Sequence, residues 1–357
     1  MNILITAPSL NPSKNVSGVA AVAYNIIKYN NHHCYYHYLL GKPDKSLSKL
    51  MWISQIFGQL LFFPLFVKRN NIELVHQNLP LNFKGILREY IINLWCRIMD
   101  VSVVLHIHGG LYLTQGTKNI LFKKLALSLF SHSKQVVVLS ELEQELLKVK
   151  FGFSTSIVLS NSICTSIFNS QQSKKLNDKP ILLYLGKIEK NKGIYELIEA
   201  LKLLKFEFNF HFFLCGSGFL TEYAIKEFEK ILGNDFEYKG VVSGIDKLNV
   251  IKQSNIFILP SYFEGLPMAL LETMAAGVVP IVTNVGSMKS IIKHGINGLH
   301  VEKQNSLDLY EKMKILLSDH ELFKLMSDNA KKTIVEHHDI SNFVVQLNKI
   351  YNLAMSN

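Results

Sequence analysis

Short apolar runs alternate with helix-length amphipathic segments along the whole chain. In the first half, the runs Asn2–Ala7, Cys34–Leu40, Glu73–Gln77, Ser102–Ile107, Gln135–Leu139 and Ile157–Ser160 predict strands. Between them, apolar positions at helical spacing predict helices over Val19–Tyr29, Phe83–Met99, Asn119–Phe130 and Glu141–Lys150. The second half repeats the rhythm. Strands are predicted at Ile181–Leu185, Phe210–Leu214, Phe236–Lys239, Ile256–Leu259 and Val279–Thr283. Helices are predicted at Ile194–Leu204, Leu220–Leu232, Asp246–Gln253 and Pro267–Ala276. Strand runs that are apolar throughout are buried on both faces, which implies parallel sheets with helices above and below. The polar stretch 171–180 ends in Pro180 and separates two complete blocks. The pattern therefore predicts an α/β chain of two doubly wound domains, 1–170 and 171–337, facing each other across a cleft at the C-terminal edges of their sheets. Ser306–Leu317, Glu321–Glu336 and Ile340–Leu353 predict helices that close the structure, with 338–357 packing back toward the first domain.

Composition supports two cores and argues against disorder: the 357 residues are 48% hydrophobic and 18% charged. The formal charge of +10 is unevenly placed, since residues 1–170 hold 16 Lys and Arg against 7 Asp and Glu. That asymmetry points to an anionic partner for the first domain. No nucleic-acid-binding motif is present, and the first half is apolar between its charges, so phospholipid or a phosphorylated acceptor fits better than nucleic acid. The most hydrophobic tract, Met51–Val67, is too short and too interrupted, by Ser54, Gln55, Gly58, Gln59 and Pro64, to span a bilayer. It reads equally as a core helix or as a helix half-sunk in a membrane surface, ending at Lys68-Arg69. Cys34, Cys96, Cys164 and Cys215 lie far apart without metal-ligand spacing, which fits a reducing cytoplasm and argues against zinc or a disulfide scaffold. The N-terminus is apolar too briefly for a signal peptide.

The densest chemistry follows the strand Ile256–Leu259, in Pro260-Ser261-Tyr262-Phe263-Glu264-Gly265-Leu266-Pro267 and the helix after it. Gly265 permits a tight turn, and Pro267 suits the first position of a helix. The start of that helix offers free N–H groups and a positive dipole end to a diphosphate. Glu272 sits inside an otherwise apolar helix, where an unpartnered acid is costly, and vicinal ribose hydroxyls would satisfy it. A second loop, Gly186-Lys187-Ile188-Glu189-Lys190-Asn191-Lys192-Gly193, follows the strand Ile181–Leu185. Its lysines can neutralise a diphosphate as it leaves.

The Glu264-x7-Glu272 pattern after Pro260-Ser261, with Met274-Ala275-Ala276-Gly277 and Pro280-Ile281-Val282 behind it, resembles the donor-site signature of glycosyltransferase family 4. The resemblance covers nearly the whole second domain. It implies a retaining enzyme with two Rossmann-like domains, the GT-B fold, that takes its sugar from a nucleotide. Glu264 would then contact the donor sugar, Glu272 the ribose, and Lys187 and Lys192 the diphosphate, with Lys187 standing where the family usually has arginine. Cys215-Gly216-Ser217-Gly218 is similar to the family's glycine turn. Tyr238–Ser243, with Val242, is similar to the loop that holds the base. Ser243 stands where a guanine reader would need an acid, which favours UDP over GDP. In the first domain, Ser17-Gly18 resembles the first glycine loop with one glycine replaced, and His108 in His106-Ile107-His108-Gly109-Gly110 resembles the histidine beside the donor sugar. The implied catalytic residues are Glu264, His108 and Lys192. The implied donor-binding residues are Gly18, Lys187, Lys192, Gly216, Val242, Gly265, Leu266, Pro267 and Glu272. No Asp-x-Asp site occurs in a suitable place, so no metal is expected. Among acceptors, a saccharide carried on a polyprenyl diphosphate fits best, in surface-polysaccharide synthesis, with the enzyme peripheral on the inner face of the membrane. The competing readings are a sugar-nucleotide epimerase or phosphorylase on the same scaffold, or a non-catalytic partner subunit.

Overall fold

A computed structural model describes residues 1–356 apart from 13, 16, 42–48, 111, 114, 115 and 169–173; the side chains of 49, 50 and 52 are not described. Residues 13 and 16, ahead of Ser17-Gly18, and the start of the polar stretch 171–180 therefore lie outside the described residues. The chain divides into two compact units, Met1–Ser162 with Ile340–Asn357, and Ile163–Asp339.

The first unit is a six-stranded parallel sheet in the order β2-β1-β3-β4-β5-β6. The strands are β1 Asn2–Ala7, β2 Cys34–Leu39, β3 Leu74–Leu79, β4 Ser102–Ile107, β5 Gln135–Val138 and β6 Ile157–Val158. Helices α1 Gly18–Tyr29, α2 Lys49–Arg69, α3 Phe83–Ile98, α4 Ile120–Ser131 and α5 Glu141–Phe151 connect them. The C-terminal helix of this unit, Ile340–Ser356, packs on α1, β4 and β5. Caps follow the local sequence: Ser17, Asn82, Asn119 and Ser140 each accept a backbone N–H from the first turn of their helix. Gly152, at φ 73°, ends α5 in the left-handed region.

Two predicted strands of this unit are corrected. β3 runs two residues past Gln77, because Asn78 is buried with its side chain bonded to Thr6 and is no solvated strand end. The edge strand β6 is two residues long, and Ser160 turns its hydroxyl back to the Leu139 carbonyl at 2.8 Å. The tract 51–67 belongs to α2, which has two different faces. Phe63 and Val67 are buried, and Tyr38 packs edge-on to Phe63 and Phe66. On the other side Phe57 is 67% exposed, Leu61 55%, Phe62 60% and Leu65 64%. Among the described residues, no helix is long and apolar enough to cross a membrane.

The second unit is also a six-stranded parallel sheet, ordered β12-β11-β10-β7-β8-β9. Its strands are β7 Ile181–Leu185, β8 His211–Cys215, β9 Phe236–Gly240, β10 Ile256–Leu259, β11 Val279–Thr283 and β12 Leu299–Val301. Its helices are α6 Ile194–Leu204, α7 Thr221–Leu232, α8 Gly244–Gln253, α9 Met268–Ala275, α10 Met288–Ile291, α11 Ser306–Ser318 and α12 His320–His337, so the helix of the first unit at the C-terminus is α13. Pro267 is the cap of α9 and not its first helical residue: its ψ of 128° is extended. The short elements α10 and β12 are additions to the predicted set. Strand order reverses between β1 and β3 in the first unit and between β7 and β10 in the second. In sheets of this kind the crevice beyond the strand ends at the reversal is where ligands bind.

Candidate active site

The two loops that carried most of the predicted chemistry flank the reversal in the second unit. One leaves β7 and the other leaves β10, at the same sheet edge. They are zipped together by backbone: Tyr262 N–H donates to Asn191 O at 2.9 Å. Gly193, at φ 75°, makes the approach possible, since a Cβ there would collide with the Pro260 carbonyl. The result is a close charge pair. Lys192 Nζ lies 2.5 Å from Glu264 Oε1, and Ser261 Oγ donates to the same oxygen at 2.9 Å. Behind the pair, Thr283 Oγ1 donates to the Ser261 carbonyl at 2.5 Å and Tyr262 OH donates to Glu196 at 2.7 Å. Burial and that carboxylate hold the Tyr262 hydroxyl up at about 12. Gly286, at φ 54°, follows β11 and lies against the Glu264 carbonyl so closely that no Cβ fits. Glu264 is therefore held from its side chain and from its backbone.

Lys187 behaves differently from Lys192. Its carbonyl accepts from the buried Tyr184 hydroxyl at 2.6 Å, while its side chain is exposed and makes no ion pair among the described residues. With the exposed Lys190, it is an available cation of this loop. Glu272 lies in α9 at 9% exposure, and its partner is Lys247, in the first turn of α8, with Nζ–Oε1 at 2.6 Å. The partner that a buried acid needs is thus supplied within the protein. Lys247 was missed because no local pattern ties a first-turn lysine to an acid 25 residues further on. Gly286 was missed for the same reason.

The glycine turn is forced by close approach. A Cβ on Gly216, at φ 128°, would meet the Gly186 carbonyl, and one on Gly218 the Ile188 carbonyl. Val242 is half-buried in the turn between β9 and α8, and Ser243 sits at the α8 N-cap without a side-chain cap bond. Gly265, Leu266 and Pro267 carry the chain from Glu264 into α9, whose first N–H groups have no side-chain cap.

In the first unit, Gly18 opens α1 just beyond β1, with Ser17 Oγ accepting from Ala20 N at 3.3 Å. His108 follows β4, and the ring of the wholly buried His106 lies against it, tilted by 36° with centroids 4.2 Å apart. Both lie at the C-terminal edge of their sheet. Burial pushes the His108 imidazole down to about 3, so it is neutral at pH 7. Among the described residues, no group of three or more His, Cys, Asp or Glu is placed to hold a metal ion.

Residues 166–333 match the family described as glycosyl transferases group 1. An uncharacterized glycosyltransferase of Methanocaldococcus jannaschii is 29% identical over 181 residues, 50% of this chain and 46% of that protein. The chain thus spans about half the length of that relative. The N,N'-diacetylbacillosaminyl-diphospho-undecaprenol alpha-1,3-N-acetylgalactosaminyltransferase of Campylobacter jejuni is 26% identical over 74% of this chain and 73% of its own. In fold, Anabaena HepE, solved with UDP and glucose, superposes with a TM-score of 0.77 at 15% identity, covering 99% of both chains. The two parallel six-stranded sheets are those of the GT-B fold.

Proposed function

We propose that the chain, whose residues 166–333 match the group 1 glycosyltransferases, moves a sugar from UDP to a saccharide or lipid-linked saccharide with retention of anomeric configuration, in surface-polysaccharide synthesis. The observation that carries this reading is the Lys192–Glu264 pair at the β7/β10 reversal, with Glu272 on the helix that follows. In the proposed reaction the bond from the anomeric carbon to the UDP oxygen breaks. The acceptor oxygen bonds to the same face of that carbon, and its proton passes to the departing diphosphate. Lys187 and the first N–H groups of α9 offset the diphosphate charge. Lys192 is drawn to the same charge while it orients Glu264 beneath the sugar. Glu272 takes the ribose hydroxyls and Lys247 holds its carboxylate in place. Gly216 and Val242 line the donor in the second unit, and His108 and Gly18 of the first unit keep the roles that the resemblance implies. No metal ion is needed in this reading, and loss of turnover in EDTA would count against it.

The Campylobacter relative, named for a diphospho-undecaprenol acceptor, supports a lipid-linked acceptor here, and the UDP in the Anabaena structure supports the donor. A membrane-facing role for the first unit, on the inner leaflet, is supported by its basic excess and by the exposed face of α2. There Ile53, Phe57, Leu61 and Leu65 form one row that ends at Lys68 and Arg69.

Thermal unfolding with UDP, GDP and ADP tests the donor site. A ligand bound only to the folded state adds about 2.7 kcal/mol at 100 times its Kd. The expected result is a shift with UDP that Glu272→Ala abolishes. No shift with UDP, or the same shift in the variant, sinks the reading.

A further inference from the structure

In the first unit, β3 lies between β1 and β4, and Asn78 is the next-to-last residue of β3. Its side-chain nitrogen donates to the Thr6 carbonyl of β1 at 2.8 Å. A backbone carbonyl can only accept, so this bond decides which end of the amide is oxygen. That oxygen lies 2.6 Å from His108 Nε2. An amide oxygen cannot donate, so the proton in this contact belongs to His108 Nε2. A neutral imidazole carries one N–H, and Nδ1 is then a bare acceptor. Nδ1 makes no hydrogen bond among the described residues. The ring is packed on another side as well: the tilted His106 ring lies against it, and His106 Nδ1 is 3.3 Å from His76 Nε2, whose Nδ1 meets Tyr351 OH at 2.7 Å.

We propose that Asn78 is a positioning residue that locks His108 as the Nε2–H tautomer and leaves Nδ1 to accept a hydrogen bond from a hydroxyl of the donor sugar. The sugar half of this inference rests on the function proposed above, while the tautomer half stands on the free protein. A histidine presented this way offers no proton to the leaving group. It selects a donor carrying a hydroxyl at that point over one lacking it, because the analogue would leave Nδ1 unpaired.

Histidine ring 15N and 13C spectra of the full-length protein at pH 7, with His108 assigned by His108→Gln, test the lock. The expected signal is the Nε2–H tautomer, shifting toward a mixture in Asn78→Leu. An Nδ1–H signal in the unsubstituted protein overturns the proposal even if Asn78→Leu fails to fold, and so does an unchanged tautomer in a folded Asn78→Leu. The kinetic counterpart is a fall in kcat/KM with the sugar nucleotide of about tenfold, the usual scale of one hydrogen bond, with UDP binding unchanged. Adding sugar nucleotide should move the His108 Nδ1 shift, and UDP alone should not. A correct, Asn78-dependent tautomer that ignores the sugar nucleotide would sustain the lock and overturn the sugar contact.

Discussion

Gly286 offers the sharpest test of how Glu264 is held. Its φ of 54° is left-handed, and a Cβ there would press into the Glu264 carbonyl oxygen. Gly295 provides a control in the same unit: its φ is 79°, and a Cβ would meet nothing within 4 Å. Alanine at either position takes on left-handed strain of about 1–2 kcal/mol. At Gly286 the methyl must also displace the Glu264 carbonyl by about 1 Å or more to reach ordinary contact, which adds about 1–3 kcal/mol of overpacking. A displacement of that size in a positioned group costs about 100-fold in rate. Gly295→Ala should therefore lower Tm by about 2–8 °C, at about 2–4 °C per kcal/mol, and leave kcat/KM within about twofold. Gly286→Ala should lower Tm further and kcat/KM by about 100-fold. Both are measured with the sugar nucleotide that the thermal screen selects, below the transition of the weaker variant. If Gly286→Ala turns over as fast as Gly295→Ala, Gly286 does not position Glu264 and that part of the reasoning fails.

The buried histidines and the exposed face of α2 lead to two further expectations. Burial, with a smaller contribution from His108, pushes the His76 imidazole down to about 3, against about 6.5 in the unfolded chain. Between those values the unfolded chain holds a proton that the folded one lacks, so stability is full above pH 6.5 and falls as pH drops toward 3, by about 2 kcal/mol at pH 5. Urea unfolding at pH 7.5 and 5.0 should show a pH sensitivity smaller by about that amount in His76→Gln, and equal sensitivities would remove the attribution. Replacing Phe57, Leu61 and Leu65 together by serine removes apolar surface worth about 1.5–3 kcal/mol per side chain on insertion. Flotation with anionic liposomes at low salt should show binding that the triple variant loses by at least about 100-fold with little change in Tm; indifference of the unsubstituted protein to such liposomes would end the membrane proposal.

The parallel sheets were readable because their central strands are apolar on both faces. β7, β10 and β11 begin and end where their apolar runs do. The end of β3 was not readable. Asn78 stays in β3 because its amide finds the Thr6 carbonyl, 72 positions earlier, and nothing near it in the chain announces that. The candidate site divides in the same way. Glu264, Glu272, Lys187 and Lys192 stand out as charges beside core strands and turn glycines. Their partners are a matter of packing: Lys247 reaches Glu272 from another helix, and Gly286 touches Glu264 from another strand's loop. Pro267 shows a subtler limit, since proline fixes φ near −65° in a cap as well as in a first helical turn and leaves ψ to the surroundings.

The return of α13 to the first unit bears on how the protein is made. Tyr351 closes a contact with His76 across 275 positions, and the whole second unit is synthesised between Ser162 and Ile340. At about 5–20 residues per second the ribosome needs roughly ten to forty seconds for that stretch. During this interval β3 and β4 exist without the helix that covers their histidines, while the unbroken stretch 163–339 can complete its own core. The later-made unit is thus the first able to finish. A chain cut after Asp339 would keep that unit whole and leave the earlier one permanently open, a ready target for chaperones and proteases.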